Sequence, residues 1–257
     1  MANIHKTALV ANPELLPDSV TVGPYSVIEE DVTIAENVWI DSHVSIKSGA
    51  RIGPGCKIHH GAAISGPPQD MKFAGEKTEL IIGANCTFRE FTTMNRGTIA
   101  HGKTEIGDNC LFMAYTHVAH DCLVGSNVIV ANLVNMGGHV VIDDWAFLGG
   151  GTVIHQFCHI GEHMMVGGGF RIAQDVIPYS LVAGFPISCR GLNITGLTRR
   201  NFSPDTISKL KSAFNILLNK KLKTTDALVK IENEVELIPE VKKVVDFIRT
   251  SERGVIK

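Results

Sequence analysis

The sequence predicts a mainly β protein, a parallel β-helix of hexapeptide repeats followed by a small C-terminal α-helical domain. Three observations carry that prediction. A hydrophobic residue recurs at every sixth position, in one phase, from Ile4 to Ile172; a small or thin residue usually stands two places earlier; and near residue 190 the sixfold beat gives way to apolar residues at helical spacing.

The beat runs Ile4, Val10, Leu16, Val22, Ile28 and onward through Ile64, resumes at Ile82, and is broken only at Asp70, Glu76 and Ala100. A period of six fits neither a helix nor a simple strand, so the chain is laid down as short identical units. Three such units close one triangular coil, and coils stack about 4.8 Å apart because coil spacing is strand spacing. Residues 1–190 then make about ten coils. The aliphatic beat fills the interior. The small residue before it, as at Ala50, Cys56, Ala62, Cys110, Ala146 and Thr152, lets each corner close. Glycine and asparagine just past the beat, as in Gly53, Gly55, Gly83 and Asn85, supply the turns. The double break at Asp70 and Glu76 marks an inserted loop at about 67–79. Residues 191–257 form the helical domain: Ser203-Pro204-Asp205 reads as an N-cap with proline in the first turn, Ile207, Leu210, Phe214, Leu217 and Leu218 follow at helical spacing, and Thr225 and Pro239 start two more helices.

No apolar run of about 18 residues is present, and Met1–Ala8 has no charged-then-apolar signal pattern, so a cytoplasmic protein without a membrane span is expected. Cys56, Cys86, Cys110, Cys122 and Cys158 all take the small inward slot. On an eighteen-residue coil none lies one coil from another, and the nearest stacks, Cys86 with Cys122 and Cys122 with Cys158, are two coils or roughly 9–10 Å apart, beyond disulfide reach. They read as core thiols in a reducing compartment. Charge is divided: residues 199–257 carry 13 Lys and Arg against 8 Asp and Glu, net +5, and the solenoid carries 11 against 18, net −7. A basic cap beside an acidic rod suits phosphates or an acidic macromolecule. Nothing points to nucleic acid.

Residues eighteen apart share an edge of neighbouring coils, which turns the repeat into a map. Gly102, His120, Gly138 and Gln156 fall on one line, Asp121 and His139 on the next, and Ala119, Gly137 and His155 on the one before. The first line continues back through Ala84 to Gly66. His120 and Asp121, two and three places past Val118, sit at a corner and face out together. The loop Pro67 to Gly75 leaves this region, and its Asp70-x-Lys72 pair suits sugar hydroxyls and a phosphate.

The strings Gly66-Pro-Pro-Gln-Asp-Met-Lys-Phe-Ala-Gly75, His117-Val-Ala-His-Asp-Cys122, Gly137-Gly-His-Val140, Val153-Ile-His-Gln-Phe-Cys158, Val166-Gly-Gly168, Ala173-Gln-Asp-Val176 and Asn193-Ile-Thr-Gly-Leu-Thr-Arg-Arg200 closely resemble the UDP-N-acetylglucosamine acyltransferase family. The resemblance spans essentially the whole chain. It implies a left-handed β-helix, a homotrimer with active sites in clefts between subunits, and transfer of an (R)-3-hydroxyacyl group from acyl carrier protein to the glucosamine 3-hydroxyl of UDP-N-acetylglucosamine, the first step of lipid A biosynthesis. The donor is the phosphopantetheine thioester of the carrier protein; no other cofactor and no metal are implied. By the same resemblance His120 is the general base, Asp121 its orienting carboxylate and Gly138 a backbone oxyanion donor. Gln69, Asp70, Lys72, His117, His139, His155 and Gln156 are substrate-cleft positions, Asn193, Arg199 and Arg200 the nucleotide end, and Gly168 the acyl-chain ruler. Its lack of a side chain leaves room for a long acyl group. The chain departs from the family at Thr195, where an acidic residue is common, and at Gly169-Phe170-Arg171 and Phe185-Pro186-Ile187.

Acyl transfer needs a base for the hydroxyl proton and donors for the oxyanion, and imidazole titrates near neutrality. Rival readings are a hexapeptide-repeat carbonic anhydrase holding zinc through histidines, the N-acyltransferase of the same pathway, and a non-catalytic scaffold. The N-acyltransferase has an extra N-terminal uridine-binding domain, which is not expected where the beat starts at Ile4.

Overall fold

The computed structural model describes residues 1–257. Each hexapeptide folds as a short strand whose first residue faces out and whose second, the beat, faces in, as in Val27–Ile28, Trp39–Ile40 and Ser45–Ile46. The chain visits three sheets in turn, making a three-sided rod of about ten coils. Sheet A has 11 strands, sheet B 9 and sheet C 7. The interior is one cluster of 43 buried residues, made of the beats and of the small residues two places before them.

The third residue past most beats is left-handed. Gly55 (φ 70°), Asn85 (57°) and Asn109 (56°) are of the expected kind, but Tyr25, Phe91, Tyr115 and Trp145 share the conformation. Such a residue accepts roughly 1 kcal/mol of strain. Compensation comes from the coil below: the Tyr115 N–H donates to Glu90 O (3.0 Å), and the Phe91 and Tyr115 rings stack 5.2 Å apart.

The eighteen-residue step holds up to Ile64 and again from Ile106, but not between them. Ile52 pairs with Ile82 and Ile82 with Ile106, so two successive coils take 30 and 24 residues. The surplus leaves the same corner, between sheets B and C, as residues 67–78 and 96–102. The first excursion is the loop expected at Asp70 and Glu76; the second underlies the break at Ala100. Arg96 ties them together, its guanidinium over the Phe73 ring at 5.4 Å.

Two expectations built on a constant step are therefore corrected. Ala84 is not below His120. It sits at the corner between sheets C and A, its N–H donating to Asp108 Oδ1 (2.6 Å), while the line below His120 runs through Arg96 to Gly66, joined by Arg96 N–H to Gly66 O (3.0 Å). Gly102 belongs to the second excursion, not to a regular corner. The cysteines also move. Strands Lys57–Ile58, Thr87–Phe88 and Leu111–Phe112 are successive neighbours in sheet A, so Cys56, Cys86 and Cys110 lie on three consecutive coils. All six cysteines are free and buried. The Cys56, Cys86 and Cys110 thiols donate to the carbonyls of Gly83, Gly107 and Gly125 at 3.1–3.2 Å. Burial pushes Cys122 up to about 12, leaving it inert as a nucleophile.

After the last coil, Ser188–Leu192 turns back antiparallel on Ser180–Ala183 and leads into α1 (Ile194–Arg199), α2 (Pro204–Leu217), α3 (Thr224–Glu234) and α4 (Pro239–Thr250). Ser203 caps α2, accepting from the Thr206 N–H, and Pro204 and Pro239 open their helices. Before α3 the cap position is Lys223, with no side-chain bond, so Thr225 lies inside the helix. Sixteen buried residues form the second core, rooted on the solenoid by Tyr179. Beyond α4 the tail re-enters the rod: the Ile256 N–H donates to Asp175 O (2.9 Å) and its side chain joins the solenoid cluster. No helix is long and apolar enough to cross a membrane.

Candidate active site

The corner between sheets B and C gathers His120, Asp121, Gly138 and His139, because strands His117–Val118 and Asn135–Met136 are neighbours in register. Asp121 does not face out beside His120 as expected but is fully buried, with Thr98 against its carboxylate; its Oδ2 lies 2.7 Å from His120 Nδ1. Thr98 donates to the same carboxylate twice, from its N–H to Oδ1 (2.9 Å) and from its hydroxyl to Oδ2 (2.7 Å). Burial alone raises the carboxyl; the bonds from His120 and Thr98 outweigh it and hold it below the usual range. With the carboxylate accepting from every side, the His120 proton belongs on Nδ1 and Nε2 is left as the acceptor.

Nε2 faces Gly138. A Cβ on that glycine would lie 2.9 Å from Nε2 and 2.7 Å from Cε1, so only glycine lets the imidazole occupy this place. The Gly138 N–H bonds to no carbonyl of the chain and stays available as a donor. His139 stands edge-on to His120 (centroids 5.3 Å), stacks on Phe157 (4.6 Å) and brings Nε2 to 3.7 Å from Asp121 Oδ2. Burial holds its ring below the ordinary histidine value, against the pull of Asp121. Donor atoms of His120, Asp121 and His139 fall within 4.8 Å of one another, a spacing that suits a metal. Asp121, however, already accepts three hydrogen bonds, and that arrangement fits a proton relay better than a ligand set.

Around this centre His117 faces out from sheet B, its Nδ1 2.8 Å from Thr93 Oγ1, and burial lowers its pKa. His155 and Gln156 follow one coil above Gly137 and Gly138, with His155 Nδ1 3.0 Å from the Gln156 carbonyl. In the first excursion Asp70 closes a turn by accepting from the Lys72 N–H (3.0 Å); Gln69 and Lys72 are exposed. The Asp70 charge reaches His139.

The other expected site residues are elsewhere. Arg200 lies at the corner between sheets C and A, where it donates to Trp145 O (2.8 Å) and covers the Trp145 ring at 5.3 Å. Asn193 is buried beside it, capping α1 and donating to His163 O (3.0 Å); Arg199 is exposed. Gly168 is exposed at the third corner, between sheets A and B, where a Cβ would approach Gly150 O to 2.8 Å. Arg200 and Gly168 thus flank sheet A, and in a three-sided rod the face opposite the His120 corner is sheet A. Its outward positions Leu111, Ile129, Phe147, Met165 and Leu181 pair in register as an apolar stripe, half-buried in one chain. Sequence reasoning missed Thr98 and Trp145. Thr98 belongs to no repeat; Trp145 had a signal, a large aromatic three places past the beat at Ile142.

Known proteins agree with this architecture. A family profile described as bacterial transferase hexapeptide (six repeats) matches residues 31–66 and 103–138, and one described as UDP N-acetylglucosamine O-acyltransferase, domain 2, matches residues 175–256. An acyl-acyl-carrier-protein:UDP-N-acetylglucosamine O-acyltransferase of Paraburkholderia phymatum is 41% identical over 262 residues, covering 100% of both chains. One of Thermodesulfovibrio yellowstonii is 42% identical over 258 residues, again covering 100% of both. Among solved structures, LpxA from Acinetobacter baumannii superposes with a TM-score of 0.94 at 37% identity over 100% of both chains. The UDP-N-acetylglucosamine acyltransferase of Bacteroides fragilis gives 0.91 at 42%, over 99% of this chain and 98% of that one. With repeats, helical domain and full-length relatives in accord, this chain belongs to the UDP-N-acetylglucosamine acyltransferase family.

Proposed function

We propose that the protein transfers an (R)-3-hydroxyacyl group from acyl carrier protein to the glucosamine 3-hydroxyl of UDP-N-acetylglucosamine, opening lipid A biosynthesis. The observation that carries the chemistry is the His120 imidazole, fixed through Nδ1 on a buried carboxylate with Nε2 packed against Gly138, whose N–H bonds to no carbonyl of the chain. Nε2 takes the proton of the sugar hydroxyl as its oxygen attacks the thioester carbonyl. The Gly138 N–H stabilises the resulting oxyanion. Collapse breaks the C–S bond, and the imidazolium returns its proton to the departing phosphopantetheine thiolate, so the enzyme needs no other cofactor. Gln69, Asp70, Lys72, His117, His139, His155 and Gln156 line the cleft. Asn193, Arg199 and Arg200 serve the nucleotide and Gly168 the acyl chain.

These two groups come from different copies. A second chain laying sheet A against the first chain's histidine corner brings its Arg200 and Gly168 edges to His120, and the contact is heterologous, closing as a homotrimer. The free cysteines suit a reducing, cytoplasmic setting. Incubating the protein with UDP-N-acetylglucosamine and a set of 3-hydroxyacyl carrier proteins should give O-ester, identified by mass spectrometry, and His120→Ala should lose it while remaining folded. No ester from any chain length, or near-normal turnover by His120→Ala, overturns the reading.

A further inference from the structure

We propose that the second excursion, residues 96–102, is part of the catalytic apparatus, with Thr98 as the positioning residue that aims Asp121 at His120. This rests on His120 being the base. The excursion adds little to the core: Gly97 and Thr98 are buried, but Ile99 is 80% exposed and Ala100 and His101 are exposed. What it delivers is one residue gripping both oxygens of one carboxylate, through a backbone N–H on Oδ1 and a hydroxyl on Oδ2.

The direction of the hydroxyl is set. The Ala100 N–H donates to Thr98 Oγ1 (3.2 Å), so the hydroxyl's own proton points at Asp121. Just past the excursion Thr104 accepts from the Asp121 N–H (2.8 Å), fixing the main chain of the same residue. Asp121 is left-handed (φ 59°), as corner residues generally are, and needs such ties to present a single orientation. The chain of bonds runs from Ala100 through Thr98 to the carboxylate, and the carboxylate then accepts the Nδ1 proton of His120. Loss of the hydroxyl leaves more negative charge on Oδ2 for that proton, which favours imidazolium. The other titratable groups facing the pair are His139 from the next coil, His101 against His139, His117 on sheet B, and Asp70 from the first excursion.

The test compares pH profiles of kcat for wild type, Thr98→Val and Thr98→Ser, using UDP-N-acetylglucosamine and a 3-hydroxyacyl carrier protein. Thr98→Val should lower kcat about tenfold and move the acidic limb up by about half a pH unit, with KM for the sugar nucleotide unchanged. Thr98→Ser should restore both. Thr98→Ala reads the same limb if valine disturbs the loop. A limb that stays in place in the hydroxyl-less variants, or a serine variant no better than valine, overturns the proposal. His120→Ala in parallel separates the two ideas: an active His120→Ala removes the base itself, whereas an inactive one with an unmoved Thr98→Val limb removes only the role of Thr98.

Discussion

His163 shows how much one side chain can be asked to do at a corner. It stacks parallel between Trp145 (6.0 Å) and Tyr179 (5.8 Å), and burial, with the Arg200 charge beside it, lowers its pKa to about 4. The unfolded chain takes up this proton near the ordinary value of about 6.5 and the folded chain only near 4, so acid favours the unfolded state between those limits. Stability should fall as pH drops from 7 to 5, and His163→Phe, which keeps the stack without the titration, should lose less. Urea melts at the two pH values measure this; equal losses would show that His163 is not the group responsible. At this scale the meeting of His120, Asp121 and Gly138 was legible and its support was not. His120, Asp121 and Gly138 lie in coils of strict period, where arithmetic alone aligns them. Thr98 lies in a segment with no period, and only the folded backbone shows that it reaches Asp121.

Among the elements, the helices were readable from their signals where those are local. Ser203 with Pro204 marked the start of α2, and Pro239 marked α4, because capping is decided within one turn. Helix α3 starts without a side-chain cap, and there the boundary was misplaced toward Thr225. The excursions were half legible: the loss of two beats announced the first, whereas one missing beat at Ala100 gave no length. The return of the tail had no signal at all. Ile256 is only 5% exposed within the solenoid cluster. Ile256→Ala should therefore cost about 2–4 kcal/mol, a core-sized loss from a residue on an irregular tail. Chemical denaturation checks it; a loss within about 0.5 kcal/mol would mean that the tail only lies on the surface.

For the whole molecule, the division of site residues between one corner and the opposite face makes a prediction about mixtures. On the proposed function, His120→Ala and Arg200→Ala damage different halves of the cleft. If each cleft joins two copies, a trimer built from both variants contains clefts in which neither half is damaged. Co-refolding equal amounts of the two inactive proteins should restore roughly a quarter of wild-type activity, by random assortment around a heterologous ring. Activity no greater than that of either variant alone would place the whole cleft within one chain. The fold itself was legible because a sixfold beat has one economical outcome, a stacked three-sided rod. The step between coils was not, because surplus residues at a corner leave the beat in phase whenever they come in multiples of six.

That same property separates length from chemistry. Both surplus segments leave one corner of adjacent coils, and on either side of them the rod is regular. A duplication or loss of one whole coil on the N-terminal side would lengthen or shorten the rod without altering how the histidine corner is assembled. The number of coils before the excursions is thus separable from the geometry of that corner. The proposed site residues begin at Gln69, and the turns before them serve as a support.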